Sequence, residues 1–388
     1  MRCFFIGQVS GYHSYNVVSK GLIRGLLAGG VDVVCYDASW NGSEDHTDPF
    51  LLSFSKDRLT WVGKNTYDKA VSGQQVDQDL GSVVLALNPT VETLKLRKYG
   101  FVMAGFHVGD VDKVPYNWKK VMNEEDAVIV PSRWMQSVVE NSGVTTPIVV
   151  ANHGVNPVFE PDTTVEFNDS PSAPFIMLHP CSSVFYPERK GTPQLLEAFT
   201  RLVDEKENVL LRLMIGVKTK PIKKLLKTLP DHVMGRIQVL MQGGGHDAQA
   251  MASAYHRVHL LVAPSRAEGF GITPIESRAC GTPVVQTFCT GHADHAPDEM
   301  DMMLLARALG IIVVPHGPLA PAWGGGFGKA PTVEAEWIYR AIQTAMRQHS
   351  TLKRAAMLNA SKVRKEWSWE ARTEPLVAWI KATEAFAA

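Results

Sequence analysis

The sequence predicts an α/β protein made of two doubly wound domains. Three observations predict this: short apolar segments alternate with helical ones, a proline-rich segment interrupts the alternation once, and 388 residues suffice for two domains of ordinary size. Strand, helix and strand in this spacing favour parallel strands joined by right-handed crossovers.

The first domain is predicted over residues 1–156. It opens with a strand from Cys3 to Ile6, a loop containing Gly7 and Gly11, and a helix from about Asn16 to Ala28 that two glycines end. Further short apolar runs predict its remaining strands, at Val31–Tyr36, Val83–Leu87, Phe101–Phe106, Ala127–Val130 and Ile148–Ala151.

Residues 157–174 contain four prolines among acidic and small polar residues, which predicts a linker. A second domain is predicted over residues 175–365, and a last helix over residues 366–388. The apolar runs that predict the strands of the second domain are Phe175–His179, Leu210–Ile215, Ile237–Met241, Leu260–Ala263, Pro283–Gln286 and Ile311–Val314.

The composition is that of a globular protein, with 45% hydrophobic and 20% charged residues. Its 39 basic and 39 acidic residues balance, which argues against a general electrostatic attraction to nucleic acid. The five cysteines are scattered and form no C-x-x-C pair, so a reducing compartment is expected and a zinc site is not. The first residues do not resemble a signal peptide, and no apolar run reaches membrane-spanning length. We therefore expect a soluble, cytoplasmic protein.

Residues 264–285 carry most of the chemical information: Pro-Ser-Arg-Ala-Glu-Gly-Phe-Gly-Ile-Thr-Pro-Ile-Glu-Ser-Arg-Ala-Cys-Gly-Thr-Pro-Val-Val. This order predicts a strand end, a glycine-containing turn, a helix and the next strand. It places Glu268 before the helix and Glu276 about one turn inside it, on either side of backbone N–H groups that attract an anion. One acid is suited to a sugar hydroxyl and the other to a ribose diol, with a diphosphate between them. The segment predicts recognition of a nucleotide-sugar.

The two acids, the Gly-Phe-Gly turn and the Gly-Thr-Pro-Val-Val strand resemble the donor-site signature of retaining glycosyltransferases of the group 1, family 4 type. Asn152-His-Gly-Val-Asn156 and Trp367-Ser-Trp-Glu-Ala-Arg372 resemble other parts of that family. The resemblance implies the GT-B fold, two Rossmann-like domains facing a cleft, with the last helix crossing back to the first domain. It also implies an enzyme without an obligatory metal.

The resemblance assigns residues to the donor site. Lys190, in an Arg-Lys-Gly turn, is expected to act on the diphosphate, and Glu268 on the sugar. An arginine usual in the family is replaced at Cys181, so Arg189 or Arg266 is expected to substitute. The remaining expected donor-binding residues are Gln242, Gly269, Phe270, Gly271, Ile272, Thr273 and Glu276.

His107 follows a strand of the first domain, where open α/β sheets bind ligands, and the family often has a histidine or an acid there that faces the donor sugar. We predict a catalytic role for His107. An acceptor-side role is predicted for Gly11, Tyr12, His13 and Asp110. The pair His292 and His295 has a metal-like spacing, but without a third ligand we predict no metal site.

The predicted function is transfer of a hexosyl or pentosyl group from a nucleotide diphosphate-sugar, a UDP- or GDP-sugar by expectation, to a hydroxyl of a glycan, a lipid-linked molecule or a small molecule. No cofactor is expected, because the nucleotide-sugar is a substrate. Three alternatives stay open: a DNA-base glycosyltransferase acting on hydroxymethylated bases, a nucleotide-sugar epimerase or phosphorylase, and a non-catalytic sugar-nucleotide binder. The lysine-rich stretch Lys218–Lys227 is either an anion-binding surface or the solvated face of a docked helix.

Overall fold

The structure is a computed structural model. It describes residues 1–387 apart from 12–13, 40–50, 52, 166–169, 171, 182–185, 216–219, 242–246, 297–310 and 322–327. The chain divides into two units. The first contains Met1–Gly109, Lys113–Gly154 and Trp367–Ala388, and the second contains Asp110–Asp112 and Val155–Glu366.

The first unit is built on a seven-stranded parallel sheet with the strand order β3-β2-β1-β4-β5-β6-β7. Its central strands are continuous apolar runs because helices cover both faces of such a sheet. The strands are β1 (Arg2–Gly7), β2 (Asp32–Asp37), β3 (Leu59–Val62), β4 (Val83–Leu87), β5 (Val102–Phe106), β6 (Ala127–Val130) and β7 (Ile148–Val150).

Between these strands run α1 (Ser14–Ala28), α2 (Lys64–Val71), α3 (Tyr116–Met122) and α4 (Arg133–Asn141), with a 3₁₀ helix at Thr93–Tyr99. Ser132 caps α4 by accepting a hydrogen bond from the Met135 N–H, 3.0 Å away.

The second unit has a six-stranded parallel sheet with the order β10-β9-β8-β11-β12-β13. These strands are β8 (Phe175–Pro180), β9 (Val209–Ile215), β10 (Ile237–Met241), β11 (Leu260–Ala263), β12 (Val284–Thr287) and β13 (Ile311–Val314). An antiparallel pair follows, β14 (Leu319–Pro321) and β15 (Lys329–Pro331).

The helices of the second unit are α5 (Thr192–Asp204), α6 (Lys220–Lys227), α7 (Asp231–Met234), α8 (Ala248–His256), α9 (Thr273–Ala279), α10 (Ala335–Arg347) and α11 (His349–Glu366), with 3₁₀ helices at Pro187–Lys190 and Thr290–His295. Phe199 on α5 and Ile342 on α10 are buried in one core with Leu213 and Val285 of the sheet. This core fixes the carboxyl ends of β11 and β12, from which the loops described below emerge.

The last helix, α12 (Trp369–Ala387), belongs to the first unit and packs on α1. Three glycines spaced four residues apart form a groove along α1: Gly21 and Gly25 lie in the helix, and Gly29 directly follows its last residue. A Cβ atom on any of them would overlap the side chain of Trp369, Thr373 or Val377, respectively, with closest approaches of 2.0, 2.3 and 2.6 Å. Glycine is therefore required for the two helices to approach this closely.

The described helices include none that is both long enough and apolar enough to span a bilayer. All five cysteines are buried, and none of them forms a disulfide.

Candidate functional site

The loop between β11 and α9 is held in place by contacts with the 3₁₀ helix at Thr290–His295. The Glu268 N–H donates to Thr290 Oγ1 at 3.0 Å, and the Gly291 N–H donates to the Glu268 carbonyl at 2.9 Å. Gly271 has a φ of 79°, and a Cβ atom there would lie 2.2 Å from the His292 ring. This turn accepts only glycine at that position, which explains the second glycine of the Gly-Phe-Gly sequence.

Glu268 is buried between two cations. Its Oε2 lies 3.0 Å from Arg189 Nη1, and its Oε1 lies 2.5 Å from Lys190 Nζ. Burial by itself would raise the pKa of Glu268, but the charges of Arg189 and Lys190 outweigh burial and hold that pKa well below its ordinary value. Glu268 is therefore ionised at neutral pH.

The two cations reach Glu268 because their turn packs against the end of β11. Gly191 ends the turn with a φ of 67° and sits on Pro264. The Arg266 N–H donates to the Arg189 carbonyl at 2.9 Å. These contacts place Arg189 and Lys190 beside the loop that carries Glu268.

Asp110 joins the same cluster and belongs to the second unit. Its Oδ1 lies 3.2 Å from Arg189 Nη1 and accepts a hydrogen bond from the Gly269 N–H, also at 3.2 Å. It was predicted on the acceptor side, and that role stays a prediction. The structure adds that its carboxylate touches residues predicted for the donor.

Three consecutive backbone N–H groups, those of Gly271, Ile272 and Thr273, stand at the start of α9. Within the described residues they donate to no acceptor. All three residues are half-buried. Unpaired N–H groups at a helix N-terminus carry partial positive charge, so this edge of the cluster attracts an anion.

Glu276 lies one turn inside α9 and is 6% exposed. Its Oε2 accepts a hydrogen bond from the Tyr255 hydroxyl at 2.9 Å. Burial raises the pKa of Glu276 to about 7, and the Tyr255 hydrogen bond opposes that rise. Glu276 therefore changes charge near neutral pH.

His292 and His295 each contact a neighbouring oxygen atom. His292 Nδ1 lies 3.3 Å from Thr287 Oγ1, and His295 Nε2 lies 3.1 Å from the Phe270 carbonyl. Burial lowers the pKa of His292 to about 4, so the ring is neutral. Outside the gaps given above, no three His, Cys, Asp or Glu side chains cluster to hold a metal ion.

The two arginines predicted to substitute for the missing family arginine are placed differently. Arg189 lies in the cluster, whereas Arg266 Nε donates to the Pro331 carbonyl of β15 at 2.8 Å. Cys181, at the position of the missing arginine, is buried and accepts a hydrogen bond from Thr192 Oγ1 at 3.1 Å. Arg189 is the better placed of the two to act beside Lys190.

His107 lies in the first unit and forms a buried pair with Glu125. Its Nε2 lies 2.9 and 3.1 Å from the two oxygens of Glu125. Gly105 makes room for this pair, since a Cβ atom there would lie 2.4 Å from the carboxylate. The catalytic role of His107 stays a prediction, and Glu125 is the partner that fixes its ring.

The loop after β1 is fixed by Asp37 at the end of β2. The Asp37 carboxylate accepts hydrogen bonds from the Val9, Ser10 and Ser39 N–H groups, each at 2.9 Å. Gly11 follows with a φ of 104°. Tyr12 and His13 lie outside the described residues, as does Gln242, so their predicted roles stay predictions.

The lysine-rich stretch includes α6. Ile222 is buried in the core of the second unit, and Leu225 and Leu226 pack against that core. The lysines at positions 220, 223, 224 and 227 are exposed. This is the arrangement of a docked helix with a solvated polar face.

Tyr255 and Glu125 carry no signal in the sequence that marks them as site residues. Tyr255 is an aromatic residue on an amphipathic helix, where a core position is the ordinary interpretation, and its partner lies 21 positions away. Glu125 follows Glu124 in the turn after α3, where acids are often solvated. Only the tertiary structure brings each to its partner.

Known proteins resemble this chain both in a sequence segment and in overall structure. Residues 180–300 match the family model of group 1 glycosyl transferases, and the matched segment contains Lys190, Glu268 and Glu276. A D-inositol 3-phosphate glycosyltransferase from Acidothermus cellulolyticus is 33% identical over 95 residues. That match spans 24% of this chain and about a fifth, 19%, of the length of the relative.

Solved structures resemble the whole chain. Sucrose-phosphate synthase from Thermosynechococcus elongatus superposes with a TM-score of 0.68 at 16% identity, covering 100% of this chain and 99% of that one. Anabaena HepE, solved in complex with UDP and glucose, superposes with a TM-score of 0.66 at 14% identity, covering 98% and 100%. These likenesses confirm the predicted α/β class and the two Rossmann-like domains of the GT-B fold.

Proposed function

We propose that the protein is a glycosyltransferase that moves a sugar from a nucleotide diphosphate-sugar to an acceptor hydroxyl. One observation carries the proposal: in the segment that matches group 1 glycosyl transferases, three unpaired N–H groups adjoin Glu268, which is held by Arg189 and Lys190. The arrangement combines an anion-binding helix start with cations and an ionised acceptor of hydrogen bonds.

The diphosphate is proposed to bind at the N–H groups of Gly271, Ile272 and Thr273, next to Lys190. Negative charge on the leaving diphosphate grows as the glycosidic bond breaks, and fixed cations and N–H dipoles stabilise it without reorganisation. Arg189 is the second cation proposed for this role. Leaving-group stabilisation by these groups supports a reaction without an obligatory metal.

Glu268 is proposed to bind hydroxyls of the donor sugar. A buried, ionised carboxylate is a strong hydrogen-bond acceptor, and its position is fixed by two ion pairs and by the Thr290 contact. Retention of configuration is proposed from the resemblance of the Glu268–Glu276 segment to retaining enzymes of family 4.

Glu276 is proposed to bind the ribose diol. One of its oxygens is taken by Tyr255, and the other accepts no hydrogen bond from the described residues. The base of the nucleotide is proposed to be uracil or guanine. The complex of Anabaena HepE with UDP and glucose supports UDP as the first nucleotide to test.

The acceptor is proposed to be a hydroxyl of a carbohydrate, a lipid-linked molecule or a small molecule. The relative from Acidothermus cellulolyticus is named for a sugar transfer involving inositol phosphate, which supports a small or carbohydrate-like acceptor. The balanced net charge and the solvated lysine face of α6 give no separate support to a DNA acceptor. We propose a cytoplasmic site of action.

The test combines binding and transfer. Thermal unfolding with UDP, GDP and ADP should show stabilisation by at least one of them, because a ligand that binds only the folded state raises its stability. The corresponding nucleotide-sugars are then incubated with a panel of acceptors. Transfer products are detected by mass spectrometry, and the donor is examined by NMR, which distinguishes epimers of equal mass. A donor converted without any acceptor would indicate an epimerase.

Glu268→Gln and its control Glu197→Gln sharpen the result. Glu197 lies exposed on α5, so its substitution should leave binding and transfer intact. Loss of transfer in Glu268→Gln alone would support the proposal. No stabilisation by any nucleoside diphosphate, together with no transfer, would contradict it.

A further inference from the structure

Tyr255 and Glu276 form a buried pair between two helices of the second unit. Tyr255 is completely shielded from solvent, and Glu276 is 6% exposed. The Tyr255 hydroxyl donates to Glu276 Oε2 at 2.9 Å. A tyrosine hydroxyl has one proton to give, so this contact fixes Oε2 as the oxygen turned toward α8.

The rest of Tyr255 is held in place from two other directions. Thr282, which follows α9, donates from its hydroxyl to the Tyr255 carbonyl at 2.9 Å. The Tyr255 ring packs against Phe159 with ring centroids 6.0 Å apart. Because both the backbone and the ring of Tyr255 are held by neighbouring residues, the position of its hydroxyl beside Glu276 is fixed.

The second carboxylate oxygen of Glu276 is not used by Tyr255. This oxygen, Oε1, has no hydrogen-bond donor in the part of the chain that the structure describes. A carboxylate with one oxygen anchored and the other unpaired presents a single acceptor in a fixed direction.

We propose that Tyr255 is a positioning residue for the donor site, which holds the Glu276 carboxylate so that its second oxygen accepts from a ribose hydroxyl. This inference rests on the proposed function, because it takes the ligand to be a nucleotide. Tyr255 does not touch the nucleotide; it acts through Glu276. The same hydrogen bond favours the ionised carboxylate, in which the second oxygen carries no proton and can accept from that ribose hydroxyl.

The electrostatic setting makes this role measurable. Burial raises the pKa of Glu276 to about 7, and the Tyr255 hydrogen bond lowers it. Removal of the hydroxyl must therefore move the titration of Glu276 to higher pH. The substitution removes no other titratable side chain around α9, where Arg278 and Cys280 lie on or next to the helix, His256 lies on α8, and Lys353, Arg364 and Glu366 lie on α11.

The experiment compares wild type, Tyr255→Phe and Tyr339→Phe. Tyr339 is a matched control, because its hydroxyl also donates to a carboxylate, that of Glu205, but on the α5 and α10 side of the sheet. UDP and GDP affinities are measured by calorimetry from pH 5.5 to 9. The titration of Glu276 is followed by ¹³C NMR in the ligand-free proteins, with Glu276→Gln to assign the resonance.

For Tyr255→Phe we expect a nucleotide affinity about tenfold lower at pH 7, as for the loss of a hydrogen bond to a charged group. We expect the pH midpoint of nucleotide affinity and the titration of Glu276 to lie at higher pH in Tyr255→Phe than in wild type. At pH 9, where Glu276 is ionised in both proteins, we expect the loss of affinity to be smaller. Tyr339→Phe should match wild type in all three. A purely structural role of Tyr255 would weaken binding equally at every pH.

The outcomes separate the two proposals. An unshifted Glu276 titration in Tyr255→Phe overturns the inference, whether or not nucleotide binds. The inference is also overturned if wild type binds a nucleotide and the pH midpoint of its affinity curve is the same in Tyr255→Phe. Failure of wild type to bind any nucleoside diphosphate, with a shifted titration in Tyr255→Phe, overturns the proposed function and with it the ribose as the ligand of this pair.

Discussion

Gly191 and Pro264 approach so closely that a Cβ atom on Gly191 would lie 2.1 Å from the Pro264 carbonyl oxygen. Gly191 follows the two cations of the candidate site, and Pro264 begins the loop that leads to Glu268. The packing of these two residues therefore sets the distance between Lys190 and Glu268.

Gly191→Ala should displace the turn that carries Arg189 and Lys190. The φ of 67° disfavours alanine, and the contact is with backbone, which cannot move aside easily. We expect a loss of roughly 1–3 kcal/mol in the free energy of unfolding, together with weaker nucleotide binding. Chemical denaturation and calorimetry measure the two effects.

Gly235→Ala is the control for Gly191→Ala. Gly235 has a helical backbone conformation, and a Cβ atom there would meet nothing closer than 3.5 Å. It should change neither stability nor affinity by much. Wild-type stability in Gly191→Ala would show that the loop adapts and that this contact does not set the site.

Lys190→Ala should lower kcat more than it raises the KM for the donor. Charge on the departing diphosphate is greatest in the transition state, so a cation at this place acts mainly on turnover. Lys223→Ala, on the exposed face of α6, is the matched control and should leave both constants unchanged. Steady-state kinetics on a nucleotide-sugar measures them.

Equal turnover in Lys190→Ala and wild type would assign this role to another cation. Arg189 is then the first to test, because it also contacts Glu268. Arg266 comes second, since its guanidinium is held by the Pro331 carbonyl.

Glu276→Gln should stabilise the protein at alkaline pH while weakening nucleotide binding. The folded protein holds the Glu276 proton up to a pKa of about 7, against an ordinary value of 4.5. The free energy of unfolding of wild type therefore falls as pH rises from about 4.5 to 7, by about 3 kcal/mol from this group alone. In Glu276→Gln this pH-dependent decrease in the free energy of unfolding is absent, because glutamine does not titrate.

The measurement is chemical denaturation of both proteins at pH 5 and pH 8. The stability of Glu276→Gln relative to wild type should increase between the two. A constant difference would show that Glu276 titrates in the folded protein near its ordinary pKa. Glu197→Gln is the control, because Glu197 is exposed and should show no such change.

His107→Ala should abolish transfer and leave nucleotide affinity unchanged, because His107 lies in the first unit. It should also destabilise the protein by about 1–3 kcal/mol, since it removes the hydrogen-bond partner of the buried Glu125 carboxylate. Kinetics, calorimetry and denaturation separate these effects. His316→Ala, at an exposed position, is the control, and full transfer activity in His107→Ala would refute the catalytic role.

The acceptor class is decided by salt dependence. Transfer to a neutral carbohydrate should vary little with salt concentration. Binding of DNA releases counterions from its phosphates, so its affinity would fall steeply as salt is added. We expect a flat salt curve and no transfer to hydroxymethylated duplex DNA. Steep salt dependence with transfer to that DNA would reverse our acceptor proposal.

The buried strands could be predicted from the sequence, and several bounds agree to the residue, such as Ile237–Met241 and Leu260–Ala263. A strand in a sheet that helices cover on both faces is apolar along its whole length, so a short continuous apolar run indicates it. Strand β3 was not predicted because only Leu59 of its four residues is buried. The pair β14 and β15 was also missed, since its three-residue strands contain prolines, which usually indicate loops.

The candidate site was predicted unevenly for a physical reason. Glu268, Glu276 and Lys190 lie in local turns with a recognisable order, so each could be named from its neighbours. The ion pairs of Arg189 with Glu268 and Asp110, and the contact of Tyr255 with Glu276, join residues that are 79, 79 and 21 positions apart. Such partners depend on how the sheet brings its loops together, which no local pattern encodes.

The glycine groove of α1 has a consequence for biosynthesis. Gly21 leaves the ribosome about 350 residues before Trp369, its partner in the folded protein. At about 5–20 residues per second, the groove stays uncovered for roughly 20–70 s. Residues 155–366, by contrast, are synthesised without interruption. We therefore expect the second unit to fold first during translation. Until α12 is synthesised, the first unit is incomplete, and the apolar face of α1 is exposed to chaperones.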